Sequence, residues 1–235
     1  FNAATSRVMY KNGYIYCTGS FTTYNSVAQT RVIRLNVNGT KDSGFTNNTA
    51  INAYSRGLEV DDNGKVYVTG DYNRLYCLNA DGTTAWYKDL NARGRRIFIT
   101  SSTTGVIVGD FTSYAGTGAN RICGFNLSDG SINSTFSYGT GFNGTCEVGG
   151  IAEDGGLWLL GNFTTYNTST SSARIIKLNK LTGAVLFADG TGLDQWTFDA
   201  SVYNNKVYAG TYATNYRGTT ITRSGLVINA DGTMD

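Results

Sequence analysis

The strongest constraint on this chain is an internal repeat. The stretch GLWLLGNFTTYNTSTSSARIIKLNKLTGAVLF, from Gly156 to Phe187, has clear copies that begin at Gly13 and Gly105 and weaker copies that begin at Gly64 and Asn205. A period of roughly 20 to 50 residues is typical of arrays and rings in which small units pack on one another. The 235 residues therefore predict one domain built from repeats rather than two unrelated domains.

Each copy reads as four short antiparallel strands. Apolar or alternating runs are separated by turns such as KNG and DDNG, whose Asn, Asp and Gly residues suit tight hairpins. A glycine ends the second run, a small polar residue and an aromatic follow it, and an arginine begins the third run. The fourth run is short and ends on an aromatic at Phe45, Trp86, Phe136 and Phe187. Repeated four-stranded units without helices are the pattern of a β-propeller, whose closure protects the sheet edges.

Five repeats are predicted, at about residues 5–48, 54–90, 95–138, 146–188 and 197–235. The spacing of the glycines taken as equivalent ranges from 39 to 52 residues, at Gly19, Gly70, Gly109, Gly161 and Gly210. The step from the last of them around to the first falls inside the same range. We therefore predict an all-β propeller of five four-stranded antiparallel blades over residues 1–235, with Phe1 in the place of the closing aromatic that the last repeat lacks. A longer array, of which this chain is a part, is the alternative.

One run carries a resemblance to a known family. From Gly19 to Phe45 the chain reads glycine, polar residue, Phe, loop and Arg-x-x-x-Leu-Asn, followed by a Gly-Thr turn and a closing Phe. This run resembles the delta-60 repeat family of β-propellers of unknown function. The resemblance extends over nearly the whole chain, although the second repeat lacks the loop and the fifth lacks the closing aromatic. It implies a propeller of the kind found in phage virion and bacterial surface proteins, and it supplies no catalytic residues.

The composition argues against several functions. The chain has no histidine, which removes Ser-His-Asp and Cys-His catalysis and the usual proton carrier at neutral pH. A formal net charge of +2 gives no general reason to expect nucleic-acid binding, and no apolar run reaches the length of a membrane-spanning helix. Cys17, Cys77, Cys123 and Cys146 lack metal-ligand spacing, so we expect buried free thiols. We predict no enzyme activity, no cofactor and no metal.

Three motifs have an alternative interpretation. Asp71 and Asp110 occupy the same position in neighbouring repeats and could be the paired carboxylates of a carbohydrate hydrolase or lyase, but Ser, Asn and Thr at that position elsewhere favour a turn-capping role. The sequence GTGFNG at Gly139 has GxGxxG spacing without the helix that dinucleotide binding requires. The sequence DDNG at Asp61 lacks the other ligands of a calcium loop and indicates a hairpin turn.

The candidate binding residues lie in the loops that follow the aromatic. These loops join the same pair of strands in every repeat, so we expect them to project from one side and to present Tyr24, Tyr114, Tyr166 and Tyr216, the last one position out of register. Tyrosine beside Asn, Ser and Thr suits surfaces that bind sugars or proteins. Packing of the tyrosines over the base of each loop is the alternative.

Arginines form a second group of candidates. Arg93, Arg95 and Arg96 place three positive charges within four residues, and near one mouth of the central channel they could contact an acidic sugar or a phosphate; solvation at the rim is the alternative. The arginines that begin the third strands are expected instead to pair with carboxylates or backbone carbonyls between blades: Arg31, Arg74, Arg121, Arg174 and Arg223.

Together these features predict a non-enzymatic binding or structural module at an extracellular or virion surface. The resemblance to the delta-60 repeats implies a phage tail or fibre, or a bacterial surface, as its setting. The expected partner is a cell-surface glycan or another structural protein within a larger assembly, with no nucleic acid and no membrane insertion. A secreted bacterial lectin-like adhesin is one alternative function, and a carbohydrate hydrolase or lyase on a propeller scaffold is another.

Overall fold

The computed structural model describes residues 1–168, 170–222 and 225–235. Within these residues all regular secondary structure is β, arranged as five successive antiparallel sheets of three or four strands and four small two-stranded hairpins. The described residues contain no helix that could cross a membrane.

The five sheets are numbered in chain order. Sheet 1 contains β1 (Thr5–Lys11), β2 (Tyr14–Gly19) and β5 (Val32–Asn36). Sheet 2 contains β6 (Ser55–Val60), β7 (Val66–Gly70), β8 (Arg74–Leu78) and β9 (Thr84–Asp89). Sheet 3 contains β10 (Gly94–Ile99), β11 (Thr104–Gly109) and β14 (Ile122–Asn126). Sheet 4 contains β15 (Cys146–Ile151), β16 (Gly156–Gly161), β19 (Ile175–Asn179) and β20 (Val185–Ala188), and sheet 5 contains β21 (Thr197–Tyr203), β22 (Lys206–Thr211) and β25 (Leu226–Ile228).

Four loops form hairpins of two residues per strand. Each lies between the second and third strands of sheets 1, 3, 4 and 5, and sheet 2 has none because its loop is missing. The hairpins are β3 (Thr23–Tyr24) with β4 (Val27–Ala28), β12 (Ser113–Tyr114) with β13 (Thr117–Gly118), β17 (Thr165–Tyr166) with β18 (Thr170–Ser171), and β23 (Asn215–Tyr216) with β24 (Thr219–Thr220).

In sheets 1 and 5 the turn between the first and second strands is the tight two-residue hairpin that the sequence predicts, and in sheets 2, 3 and 4 the connection is longer. Asn12 and Gly13 both have positive φ, at 52° and 81°, as do Asn204 and Asn205 at 48° and 60°. Two successive residues of positive φ match the twist of the strands they connect, and Asn and Gly adopt that conformation at little cost.

The prediction of four strands in every sheet is met in sheets 2 and 4. In sheets 1, 3 and 5 the fourth segment forms only a single bridge to the third strand, at Lys41, Ile132 and Met234. In sheets 1 and 3 the chain turns away from the ladder soon after the bridge, since Phe45 N–H bonds to the carbonyl of Asp42 and Phe136 N–H to that of Asn133. The turn carries Phe45 and Phe136 into the core, where both are buried.

The core lies between successive sheets. β1 packs beside β6, β6 beside β10, β10 beside β15 and β15 beside β21, and one hydrophobic cluster fills each of these four boundaries. Trp158 of sheet 4, for example, belongs to the same hydrophobic cluster as Val207 and Ala209 of sheet 5. Among the described residues, β21 and β1 do not pack together in this way. The chain therefore forms an open arc of sheets, and the predicted closure through Phe1 is wrong because Phe1 packs within its own repeat, on Phe21 and Tyr24.

The four cysteines are free and buried, as predicted. Burial raises the pKa of the Cys17 and Cys77 thiols to about 11 and that of the Cys123 thiol to about 12. These thiols are therefore core side chains without nucleophilic character at neutral pH.

Candidate functional site

The rim tyrosines do not face solvent. Tyr114, Tyr166 and Tyr216 are fully buried, and Tyr24 is half-buried. Each hydroxyl donates to the carbonyl of a glycine in the turn after the third strand of the same sheet: Gly39, Gly130 at 2.7 Å, Gly183 at 3.3 Å and Gly232 at 2.6 Å. The predicted exposure of these rings is therefore wrong, and the alternative of packing at the loop base is what the structure has. Tyr24, Tyr114, Tyr166 and Tyr216 fix the loops in place.

A β-bulge in the first strand of each sheet brings five other side chains together. The first strand of every sheet carries a β-bulge near its start, and the extra residue of each bulge has no partner on the second strand. Bulges re-aim side chains and are frequent next to functional sites. All five bulge residues line one cavity of about 150 Å³, which we call the mouth cavity: Ser6, Arg56, Arg95, Glu147 and Phe198.

A second cavity lies along the first strands. This axial cavity has a volume of about 230 Å³ and is lined by β1, β6, β10 and β15. Arg96 lines both cavities, so the mouth cavity stands at one end of the axial space. Arg95 lines the mouth cavity, Arg96 lines both cavities, and Arg93 precedes them on the same stretch of chain.

Most charges around the mouth cavity are paired. The Arg56 guanidinium bonds twice to Asp71, at 2.6 and 3.1 Å. Arg95 bonds twice to Asp110, at 2.8 and 3.1 Å, and once to Glu147 at 2.5 Å. Two-point contacts of this kind fix the orientation of a guanidinium as well as neutralising it.

Arg93 also bonds to Asp110. Burial alone would raise the pKa of Asp110, but the hydrogen bonds and positive charges of Arg95 and Arg93 hold that pKa below its usual value. Asp110 is therefore a permanent anion that anchors two arginines.

Arg96 is the least compensated charge at the mouth. Its guanidinium is mostly buried and donates to the backbone carbonyls of Arg56 at 3.3 Å and Arg95 at 3.2 Å. Among the described residues its one ion pair is with the exposed Asp199, at 3.8 Å, although the charge of Glu147 also acts on it. Its Nε is buried without a hydrogen-bond partner. Burial and the nearby charge of Arg7 lower the pKa of Arg96 to about 10. An added anion would therefore stabilise the buried charge of Arg96 more than it would stabilise the paired charges of Arg56 and Arg95.

An exposed aromatic group borders the same cavity. The ring of Tyr212 packs on Phe198, with centroids 5.1 Å apart, and on Trp196, with centroids 4.8 Å apart. All three rings are partly open to solvent. Phe198 lines the mouth cavity together with the arginines. The cavity is therefore bordered by both an apolar aromatic surface, which we call the aromatic platform, and positive charges.

Comparisons with known proteins agree with this architecture. Residues 11–45, 62–84 and 106–136, less than half of the chain, match the family described as "Domain of unknown function (DUF5122) beta-propeller". A similar solved structure is the β-propeller domain of Cps50 (Swd1) from Myceliophteria thermophila, with a TM-score of 0.61 and 4% identity over 88% of this chain. The fold is that of a β-propeller.

Another structure similar to this propeller is the computationally designed Ika8 protein, with a TM-score of 0.60 and 11% identity over 98% of this chain. The chain spans 72% of the length of Ika8 and 62%, less than two thirds, of the Cps50 chain. No curated protein matches this sequence. Identities this low show the fold alone.

The register of the last propeller repeat differs from the sequence-based alignment. Thr211 pairs with Thr197 as Gly19, Gly109 and Gly161 pair at the other bulges, so Thr211 rather than Gly210 is the equivalent residue. Counted from Thr211, Tyr216 is the fifth residue, as Tyr24 is from Gly19, Tyr114 from Gly109 and Tyr166 from Gly161. Tyr216 is therefore in register with the other loop tyrosines. The small polar position and the aromatic position become Tyr212 and Ala213.

The propeller also holds its loops through a residue that the sequence analysis missed. The segment before each of sheets 1, 3, 4 and 5 places an Asx side chain under the next hairpin: Asn2, Asn91, Asn143 and Asp194. In each case one Oδ1 accepts from two successive backbone N–H groups, at 2.8 to 3.1 Å. The signal in the sequence is an apolar residue followed by Asn or Asp between repeats, as in Phe1-Asn2 and Phe142-Asn143.

Three of the arginines that begin the third strands join successive propeller repeats, as predicted, and Arg74 does not. These three donate to carbonyls of the segment that follows their sheet: Arg31 to Asn52 at 3.4 Å, Arg121 to Phe142 at 2.9 Å and Arg174 to Leu193 at 2.9 Å. Arg74 pairs instead with Asp89 at 2.7 Å, within sheet 2. Arg223 lies outside the described residues. In the described part of the chain no group of His, Cys, Asp or Glu is arranged to hold a metal ion.

Proposed function

We propose that this protein is a non-enzymatic binding module in which the five sheets act as propeller blades and the mouth cavity binds an acidic glycan. The observation that carries the proposal is the convergence of the five bulge residues on that cavity. One backbone device, repeated five times, presents a hydroxyl, two guanidinium groups, a carboxylate and a phenyl ring. A rigid scaffold with varied residues at one position is how repeat proteins build recognition surfaces.

The acidic group of the ligand is assigned to Arg96. A carboxylate entering the mouth cavity would give Arg96 the close anion that Asp199, at 3.8 Å, does not supply. It would also meet Arg56, whose guanidinium is fixed by Asp71 and is already oriented for binding. Preorganised cations bind a carboxylate with less loss of side-chain entropy than mobile ones.

The sugar ring of the ligand is assigned to the aromatic platform. The faces of Phe198, Tyr212 and Trp196 are flat, partly exposed and next to the mouth cavity. The C–H face of a pyranose packs well on such a surface, because aromatic faces carry partial negative charge. Arginines and aromatic rings at one cavity therefore suit a sugar acid better than an inorganic anion or a neutral sugar.

The proposal is non-enzymatic because the carboxylates at the mouth are committed to arginines. Asp71 bonds to Arg56, and Asp110 and Glu147 both bond to Arg95. A hydrolase of the paired-carboxylate type needs one protonated carboxyl group near neutral pH. The lowered pKa of Asp110 opposes that role. Burial raises the pKa of Glu147, but its carboxylate is bonded to Arg95 and is not free to donate a proton to a substrate.

We further propose that this module belongs to the delta-60 repeats and works at a virion or bacterial surface. The resemblance of the run from Gly19 to Phe45 supports the family, and the match to a β-propeller family of unknown function is consistent with it. The few charges and the Asn, Thr, Ser and Gly of the loops are typical of exposed extracellular surfaces. A phage tail or fibre that attaches to a host glycan is the setting we favour.

The test is binding to paired oligosaccharides that differ in one group. Uronic-acid oligosaccharides are compared with the same oligosaccharides after their carboxyl groups have been reduced to alcohols. We expect binding to the acidic set alone, weakened by salt. Removing one charge-assisted contact is expected to weaken binding by about tenfold in Arg96→Gln, and Phe198→Ser is expected to weaken it by a similar factor.

Lys206→Gln is the matched control. It also removes one positive charge, but from an exposed ion pair with Asp235 that does not line the mouth cavity. Binding should be unchanged in this variant. Equal binding to acidic and reduced oligosaccharides, or binding that is equally weakened in all three variants, would overturn the proposal.

A further inference from the structure

The first strands of the sheets end at a cavity that lies opposite the mouth cavity. The mouth cavity meets these strands near their starts, at Ser6, Arg56 and Arg95. This other space, which we call the far cavity, has a volume of about 400 Å³ and meets the ends of β1, β6 and β10 together with the turn after β19. It shares Glu59 and Ile99 with the axial cavity. Its walls therefore come from four successive sheets, 1 to 4.

Glu59 is an unpaired acidic group in the wall of the far cavity. Among the described residues its carboxylate forms neither a hydrogen bond nor an ion pair. The positive charges of Arg7 and Lys11 act on it, but burial has the larger effect and raises the pKa of Glu59 to about 7. Lys11 is bonded to Asp62 instead, at 2.6 Å. A carboxylate that has lost water without gaining a partner is stabilised by a cation that enters beside it.

The neighbouring carboxylates already have partners. Asp61 accepts hydrogen bonds from the backbone N–H groups of Asn63 and Lys65, at 2.9 and 2.8 Å, and from the Tyr67 hydroxyl at 3.2 Å. Asp62 is held by its ion pair. A calcium or magnesium ion needs several oxygen ligands, whereas an ammonium group is served by one carboxylate and a few hydroxyl groups. The far cavity therefore suits an organic ammonium group better than a metal ion.

The charges that line the far cavity favour a ligand with one positive charge. Three carboxylates face two ammonium groups, so the ionised wall carries one negative charge in excess: Glu59, Asp61 and Asp62 against Lys11 and Lys180. A ligand with a single ammonium group neutralises that excess. A ligand that also carries a carboxylate restores it.

Groups that suit sugar hydroxyls extend from the far cavity into an adjoining one. The adjoining cavity lies between sheets 2 and 3, has a volume of about 270 Å³, and shares Asp61, Asn63 and Ser102 with the far cavity. In the described part of the chain the side chains of Asn63 and Ser102 make no hydrogen bond, and both are exposed. Thr103 and Ser128 add hydroxyl groups to the same wall. Amide and hydroxyl groups both donate and accept, which is what the hydroxyl groups of a sugar require.

We propose that the far cavity binds an amino sugar within a glycan, with the ammonium group on Glu59 and the next sugar unit in the adjoining cavity. The two cavities share a wall, so a disaccharide spans them. A lysine side chain of a protein carries the same charge, but its methylene chain leaves Asn63 and Ser102 without partners. The far cavity and the mouth cavity favour opposite charges at the two ends of the axial cavity, and neither site depends on the other.

The experiment is isothermal titration calorimetry of the whole chain with a matched pair of disaccharides near neutral pH. The disaccharide of glucosamine carries free amino groups, and its N-acetylated form has the same skeleton without positive charge. We expect the free amine to bind and the N-acetylated form not to bind, and salt should weaken the binding. Equal binding of the two forms, or binding of neither at millimolar concentration, would overturn the proposal.

Variants locate the binding in the far cavity. Glu59→Gln keeps the shape of the side chain and removes its charge, so it should weaken binding of the amine at least about tenfold, as expected for loss of a charge-assisted contact. Glu153→Gln removes an exposed carboxylate that does not line the far cavity, and it should bind like the wild type. Unchanged binding in Glu59→Gln, or an equal loss in Glu153→Gln, would contradict the assignment.

A third ligand separates a sugar from a lysine side chain. Nα-acetyl-lysine amide carries one ammonium group and no sugar hydroxyl groups, so it should bind at least about tenfold more weakly than the glucosamine disaccharide. Equal or tighter binding of the lysine derivative would overturn the assignment to an amino sugar, because the contacts of Asn63 and Ser102 would then contribute nothing. Circular dichroism with thermal melting checks that each variant is folded.

Discussion

The hydroxyl of Tyr114 donates a hydrogen bond to the backbone carbonyl of Gly130 at 2.7 Å, and both residues are buried. Tyr216 and Gly232 make the same contact at 2.6 Å in sheet 5. This contact ties each two-stranded hairpin to the turn that ends the third strand. The loops around the arc are therefore supported from beneath, and the aromatic residue that sequence analysis places on the surface belongs to the support.

Tyr114→Phe is expected to lower the free energy of unfolding by about 1 to 3 kcal/mol, because the buried carbonyl of Gly130 loses its donor. The ring itself remains, so the fold should be unchanged. Urea denaturation measures the effect. Tyr87→Phe, at an exposed ring, is the control and should stay within about 0.5 kcal/mol of the wild type. Equal stability of the Tyr114 and Tyr87 variants would contradict this role.

Asn143→Ala is expected to destabilise the protein by about 1 kcal/mol, because two backbone N–H groups, those of Thr164 and Thr165, lose their acceptor. Asn143→Asp should be nearly neutral, since Asp194 accepts the equivalent bonds at 2.9 and 3.1 Å in sheet 5. Thermal melting of both variants decides the matter. If Asn143→Asp lowers the melting temperature as much as Asn143→Ala does, the side chain at this position does not act as a hydrogen-bond acceptor for the hairpin.

The repeat made the fold predictable. Strand, turn and strand recur with Asn-Gly or Asp-Gly turns, so the antiparallel sheets and the hairpin at Asn12 and Gly13 follow from local chemistry. Closure did not follow, because spacing along the chain says nothing about the angle between neighbouring sheets. The fourth strand did not follow either, since burial of Phe45 and Phe136 competes with continuation of the ladder.

The site was predictable only in part. Arg93, Arg95 and Arg96 stand out as a dense charge group, and two of them line the mouth cavity. Ser6 and Phe198 line the same cavity without any sequence signal, because a β-bulge shifts register by one residue and leaves no mark in a pattern of apolar and polar residues. Tyrosine misleads for a related reason: its ring can be fully buried while its hydroxyl bonds to the backbone.

Gly161→Ala is expected to be strongly destabilising. A Cβ at that position would be 2.2 Å from the carbonyl oxygen of Thr145 and 2.9 Å from Cys146 Cα, and both are backbone atoms that cannot move without disturbing the bulge. Overpacking of this kind typically costs about 1 to 3 kcal/mol. Gly118→Ala is the matched control, because no atom lies within 4 Å of its Cβ position. Chemical denaturation of the two variants should separate them clearly, and similar midpoints would show that the sheet can relax around the added methyl group.

Glu59 makes the stability of the protein depend on pH. It lines the axial cavity beside Arg7 and Arg96, and burial raises its pKa to about 7 although Arg7 and Lys11 oppose the shift. The folded state therefore holds this proton more tightly than the unfolded state, whose carboxyl group titrates near 4.5. Below that pH both states are protonated and Glu59 has no effect; between about 4.5 and about 7 only the unfolded state is ionised, so the stability of the fold falls, and above about 7 the loss is complete.

The stability lost by the wild type between about pH 5 and pH 8 should therefore be partly recovered in Glu59→Gln, by at most about 3 kcal/mol. Urea denaturation of both proteins at the two pH values measures the difference. The control is Glu153→Gln, which removes an exposed carboxylate from the turn between β15 and β16 of sheet 4. Its stability should match that of the wild type at both pH values. Curves for Glu59→Gln and wild type that run parallel across this range would mean that the Glu59 carboxylate is solvated in the axial cavity and ionises without cost to the fold.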